Sequence, residues 1–151
     1  MNKKMVLMMV ATLACTGVAA NNERMAVAVF RDANKNVLGS AIFFEDSTGL
    51  EVNVTLHKLS PGKVTLSVHE NTTCGTRSKT AFGDAGDTLK DAGMLLETMV
   101  SEKGTAFERQ DSARTLVSSN RSTSLMRKAL ILHSGDVKGP RVACGVVFNY
   151  P

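Results

Sequence analysis

Apolar and polar residues alternate along much of the chain with a period of two. Leu50, Val52, Val54 and Leu56 interleave with Glu51, Asn53, Thr55 and His57. Val64, Leu66 and Val68 interleave in the same way with Thr65, Ser67 and His69. That period puts one set of side chains on each face of a strand. Shorter Val-rich stretches at residues 25–30 and 37–44 read as two earlier strands, split by the polar turn-like cluster 31–36. Residues 46–49 and Ser60-Pro61-Gly62 are turns. Residues 129–132 and 142–148 read as closing strands. Between them, residues 94–100 fit either a strand or an amphipathic helix with Leu89, Leu96, Met99 and Val100 on one face. The Lys103-Gly104 turn favours the strand, with residues 105–107 following. Residues 76–87 and 118–124 read as polar loop. Short strands with turn chemistry every ten to fifteen residues, roughly, predict an all-β antiparallel sandwich or barrel.

The first twenty residues follow a different rule. Lys3 and Lys4 precede an apolar stretch, residues 5–14, and the small residues Val18 and Ala20 follow. This is the order of an export signal, with cleavage expected near Ala20. The domain is then residues 21–151, periplasmic or secreted. Cleavage removes Cys15 and leaves two cysteines, Cys74 and Cys144. An even pair in an oxidising compartment predicts one disulfide. Cleavage also removes two lysines, leaving a net charge of +2, and no Lys/Arg run of five occurs. Nucleic acid is not an expected partner. No apolar run reaches the length of a membrane span. A homodimer and an unidentified protein partner both stay open.

Three segments carry a resemblance. The stretch from Pro61-Gly62-Lys63-Val64-Thr65-Leu66-Ser67-Val68-His69 to Cys74 is similar to the copper-strand segment of copper,zinc superoxide dismutases, which reads roughly P-G-x-H-G-F-H-x-H-x-x-x-x-C. Lys128-Ala129-Leu130-Ile131-Leu132-His133 resembles the strand that delivers that family's last copper histidine. Gly139-Pro140-Arg141-Val142-Ala143-Cys144-Gly145-Val146 resembles its G-x-R-x-A-C-G-V segment. The resemblance, of the bacterial periplasmic type, implies a Greek-key β-barrel of about eight strands with Cys74 and Cys144 joined.

Residue by residue, the implied metal centre is incomplete. His69 and His133 match copper histidines, while Ser67 stands where a third belongs. Val64 and Thr65 replace a His-Gly pair, and Thr88 replaces a zinc histidine. Asp91 matches the zinc aspartate, and no histidine lies between Cys74 and His133 to bridge two metals. The family uses six histidines; the chain has three, and His57 sits outside the motif on a polar face. One carboxylate does not hold zinc, so zinc is not expected. Two imidazoles supply half of a cupric site, and a low-coordinate copper site using His69 and His133 is the remaining metal option. Arg141 would guide anions in an active member; its other reading is a structural arginine that binds loop carbonyls. The sequence therefore predicts a superoxide-dismutase-like protein with a degenerate metal site, acting as a non-enzymatic binding or interaction protein. The alternatives are a periplasmic copper-binding protein and a residual copper-dependent dismutase.

Overall fold

A computed structural model of the chain describes residues 23–77, 80–90, 93–117 and 123–151. Nine strands build it: β1 (Arg24–Arg31), β2 (Val37–Glu45), β3 (Leu50–Leu56), β4 (Gly62–Val68), β5 (Met94–Val100), β6 (Ala106–Ser112), β7 (Ala129–Ser134), β8 (Arg141–Val146) and β9 (Phe148–Asn149). The described residues include no α-helix, only one short 3₁₀ turn at Gly83–Ala85. Residues 94–100 are a strand, the reading the Lys103-Gly104 turn favoured.

The strands form one antiparallel sheet in the order β5-β4-β7-β8-β1-β2-β3-β6, with β9 beside β1. β3 and β4 are consecutive in sequence yet lie far apart in the sheet, as a Greek key requires. The two end strands, β5 and β6, are joined by a tight turn in which the Ser101 N–H donates to the Thr105 carbonyl. The sheet thereby curls into a nearly closed barrel. Its interior is filled by the apolar set of each strand, with Phe30, Phe43, Leu56, Leu66 and Leu132 fully buried. Deeply buried branched and aromatic side chains at that density supply the main favourable term of folding.

Two features depart from simple alternation. The polar face of β4 is not solvated, for Thr65, Ser67 and His69 are all buried. The segment between β4 and β5 folds back over it. Phe82 and Ala85 of that segment pack with Ala129, Ile131 and Cys144 into a second small apolar cluster on the outside of the barrel wall. The Cys74–Cys144 disulfide, closing a separation of 70 residues, fastens the segment to β8. A half-buried strand has thus become a strand buried on both faces, and the candidate residues lie in the space between wall and segment. The second departure is at Val147, which interrupts the last strand and divides it into β8 and β9. Its N–H turns to the Lys128 carbonyl, and the fully buried Val147 side chain enters the core.

Candidate functional site

Ser67 is on β4 and His69 directly follows that strand; His133 is on β7, the neighbour of β4 in the sheet. Alternation points Ser67 and His69 to the same outer face, and the β4–β7 pairing brings His133 beside them. The two imidazoles stack with centroids 5.6 Å apart and planes 17° from parallel. Their Nε2 atoms are 3.4 Å apart. The Ser67 hydroxyl sits against both, 3.0 Å from His69 Nε2 and 2.9 Å from His133 Nε2. Thr88, reached through an isolated bridge to His69, places its hydroxyl 3.3 Å from His69 Nε2.

The opposite ring nitrogens fix the proton arrangement. His69 Nδ1 is 2.9 Å from the Gly86 carbonyl, and His133 Nδ1 is 2.9 Å from the Gly139 carbonyl. A carbonyl only accepts, so each Nδ1 carries the proton and donates. Both Nε2 atoms then present lone pairs toward each other. Two lone pairs need two donors. The Ser67 hydroxyl serves His133 at the shorter distance, and the Thr88 hydroxyl serves His69. The count closes with both imidazoles neutral.

Both acceptor carbonyls belong to glycines, and each glycine is required where it stands. Gly86 has φ of 80°, and a side chain there would also meet Asn71. A Cβ at Gly139 would collide with the Ser134 carbonyl oxygen. The Gly86 oxygen accepts a second bond, at 2.8 Å, from Arg141 Nη2. Arg141 Nη1 donates to the Phe82 carbonyl at 2.8 Å. Arg141 thus ties two loop carbonyls together through its terminal nitrogens.

Electrostatics agree with the proton count. Burial, the leading cause, drives the His69 pKa down to about 4, and the positive Arg141 nearby acts in the same direction. The Gly86 carbonyl and Asp87 oppose this without reversing it. Burial also lowers the His133 pKa. His69 is 0 % exposed and His133 2 %, so water does not reach the pair. Replacing Ser67 by alanine would leave His133 Nε2 buried without a donor. We expect the variant to lose about 2 kcal/mol of stability in urea unfolding, the cost of one orphaned buried acceptor. A loss below a few tenths would show that the Ser67 hydroxyl is not the donor His133 relies on.

Asp91 lies outside the described residues. His57 is half-buried at the end of β3, remote from the pair in the sheet order. Among the described residues no group of three or more His, Cys, Asp and Glu side chains could hold a metal ion. The donor set of two imidazoles and two hydroxyls does not fit a copper–zinc pair. In the sequence Thr88 stands only as a replaced ligand, Gly139 only as the first residue of the G-x-R-x-A-C-G-V resemblance, and Gly86 is not singled out. Their contributions come from backbone carbonyls aimed by loops, for which side-chain patterns carry no signal.

Known structures place this architecture. A SOD-like protein from Bacillus subtilis superposes with a TM-score of 0.66 at 18% identity, covering 80% of this chain and 96% of that one. A double mutant of that protein, with a tyrosine and a proline replaced by histidine, gives 0.66 and 18% over 81% and 96%. The Cu/Zn superoxide dismutase from Brucella abortus gives 0.61 and 22% over 81% and 98%. No family model matches the sequence, and no curated protein matches it. The chain has the superoxide-dismutase-like Greek-key barrel. On that fold it carries a disulfide and, among its described residues, no helix long and apolar enough to cross a membrane.

Proposed function

We propose that the chain is a divergent, exported relative of the bacterial periplasmic superoxide dismutases whose metal site has degenerated, leaving a non-enzymatic binding or interaction protein. The observation that carries this reading is the closed hydrogen-bond count at the histidine pair. Hydroxyls of Ser67 and Thr88 stand at two of the positions where the resemblance expects ligand histidines, and they satisfy the Nε2 lone pairs of the two imidazoles. Redox cycling of copper wants about four nitrogen or oxygen donors. The histidine pair is sealed from solvent, so an incoming anion meets no opening to it. The fold by itself assigns no activity. Export is supported by the leader-like residues 1–20 and by a disulfide suited to an oxidising compartment.

A second reading is favoured by one feature. Two neutral imidazoles with converging Nε2 atoms and carbonyl-bound Nδ1 protons are also how histidines are oriented toward a metal. Copper held by His69 and His133 is that reading, and residual copper-dependent dismutation is its extension. Zinc is unsupported by either.

The experiment is a titration of the purified, oxidised protein with cuprous, cupric and zinc ions, followed by a superoxide assay. The principal reading expects no stoichiometric metal and no dismutation above that of free buffer. Stoichiometric copper, lost in both His69→Ala and His133→Ala, would replace it with copper binding. Copper-dependent dismutation by the loaded protein would overturn it outright.

A further inference from the structure

The outer faces of antiparallel barrel strands are ordinarily polar. β3 obeys this with Glu51, Asn53 and Thr55. The outer face where β1 meets β8 and β9 does not. Val27 and Val29 of β1 lie there beside Val146 and Phe148 of the divided last strand, and the four form the floor of a hollow of about 570 Å³. That volume is within the usual range of small-molecule sites. One wall is the segment that starts at Cys74, through Gly75, Thr76 and Phe82. Another is the turn between β1 and β2, which brings Arg31, Asp32 and Lys35 to the edge. Val27 is paired with Phe148, and Arg31 with Cys144. Between these two pairs the hollow runs along β1 for about 13 Å, at the usual rise of a strand.

Its two ends differ. At Val27 and Phe148 the lining is apolar. At the other end stand two cations beside the disulfide. A single turn fixes both cations. The Asp32 N–H donates to the Asn36 carbonyl and the Lys35 N–H to the Asp32 carbonyl, each at 3.0 Å, and Lys35 is held at a φ of 67°. Arg31 Nη1 donates to the Lys35 carbonyl at 3.1 Å, which draws the guanidinium over the same turn. A guanidinium carries five N–H donors, so one bond leaves others for an anion. Asp32 is the carboxylate among the lining residues, and it is taken up by its own turn. Oδ1 accepts from the Asn34 and Asn36 backbone N–H groups, and Oδ2 from the Asn36 amide.

We infer that this hollow binds a free single-chain carboxylate of the fatty-acid class. Arg31 and Lys35 hold the carboxylate, and the apolar tail lies over Val29, Val146 and Val27 toward Phe148. The inference is independent of the metal-site reading above, since none of these residues touches the histidine pair.

Three properties select that class. The first is charge. Two cations against one engaged carboxylate favour an anion, and a guanidinium matches the paired oxygens of a carboxylate. The second is the separation of polar and apolar ends. A small inorganic anion would leave the floor uncovered, and a neutral apolar molecule would bury the cations without a partner. The third is shape. A walled hollow takes in one extended chain along its length, whereas a flat bilayer surface meets only its rim. The position of the disulfide adds a consequence. Cys74 and Cys144 line the hollow, so a seated ligand covers the bridge.

Equilibrium dialysis of the purified, oxidised protein against decanoate tests this. The expected result is one site with a dissociation constant on the order of 100 µM, within what a ligand of so few atoms allows. Octanoate, shorter by two methylenes, should bind ~10-fold more weakly. Decylammonium, with the same tail and the opposite charge, should not bind. Arg31→Gln should weaken decanoate ~10-fold, as loss of a charged hydrogen bond does. Val29→Glu, which sets a carboxylate in the path of the tail, should weaken it at least ~30-fold. Val29 is 40 % exposed, and circular dichroism establishes that the variant is folded; Phe148→Ser, at a residue 56 % exposed, serves in its place if it is not. Reduction of the disulfide by dithiothreitol gives a second readout. At ten times the dissociation constant decanoate should slow it about tenfold, because only the empty fraction stays open. Absence of decanoate binding overturns the inference, and anionic phospholipid vesicles bound in its stead would assign the face to a membrane surface. Equal binding of decylammonium overturns the role of the cations. Decanoate binding that Val29→Glu and Phe148→Ser leave intact, or that leaves the reduction rate unchanged, overturns it by placing the ligand elsewhere.

Discussion

Removing the disulfide, by replacing Cys74 and Cys144 together with alanine, is expected to lower the unfolding free energy by about 4 kcal/mol. The bridge closes a separation of 70 residues, and cross-linking a loop of that length removes much of the freedom of the unfolded chain. For a domain of this size the loss corresponds to a fall of about 15 °C in melting temperature. Its consequences in the folded state are local. Cys74 begins the segment that carries the Phe82 and Gly86 carbonyls, and Cys144 sits on β8 within the outer apolar cluster. With the bridge gone, the barrel core keeps its packing, while the Gly86 oxygen that holds both His69 Nδ1 and Arg141 is less firmly placed. Urea unfolding with and without reductant measures the first effect. Histidine ring resonances report the second. A loss under about 1 kcal/mol would mean that the segment is held by its apolar contacts and the bridge adds little.

The second large effect is with acid. In the metal-free protein His69 stays neutral down to about pH 4, because burial disfavours the charged ring. In the unfolded chain the same histidine titrates near 6.5. Between those values the unfolded state binds the proton and the folded state does not, so stability falls as pH falls. The contribution is complete above about pH 6.5 and is lost through the window down to about pH 4. Over that span His69 alone costs about 3 kcal/mol. His133, also lowered by burial, adds in the same direction. The carboxylates of Asp32, Asp46, Glu51 and Glu97, all held low chiefly by side-chain hydrogen bonds, act the same way. Their contribution starts to fade only as the pH nears the ordinary carboxylate range of about 4. Urea midpoints from about pH 7 to about pH 4 for the native protein and for His69→Gln separate the two. A stability curve for the native protein that is flat through this range would show that His69 takes its proton in the folded state.

The strands were legible where one face is buried and the other is not. β3 is the clearest case, since its register is written in alternating residues. β6 was legible only at its start, because Glu108–Arg109–Gln110–Asp111 lies at the sheet's edge with no buried row to mark the period. Instead it is held by pairing to β3 and by the ion pair of Arg109 with Glu51. The break at Val147 was invisible because an apolar residue turned inward reads like any other strand position. At the site, His69 and His133 stood out by chemistry and by motif. Burial of the polar face of β4 did not, because what covers it is a loop that returns from beyond Cys74. Alternation describes a strand's own two faces and says nothing of what a distant segment lays across one of them.

The sealed hydroxyl of Ser67 has a use of its own. A hydroxyl proton in contact with water exchanges too quickly to be followed. That of Ser67, a fully buried residue, lies against both histidine Nε2 atoms, away from solvent. It can leave only when the segment over β4 lifts. Its exchange is therefore a clock for that lifting, built into the molecule and readable without any label, and it times an opening far smaller than unfolding.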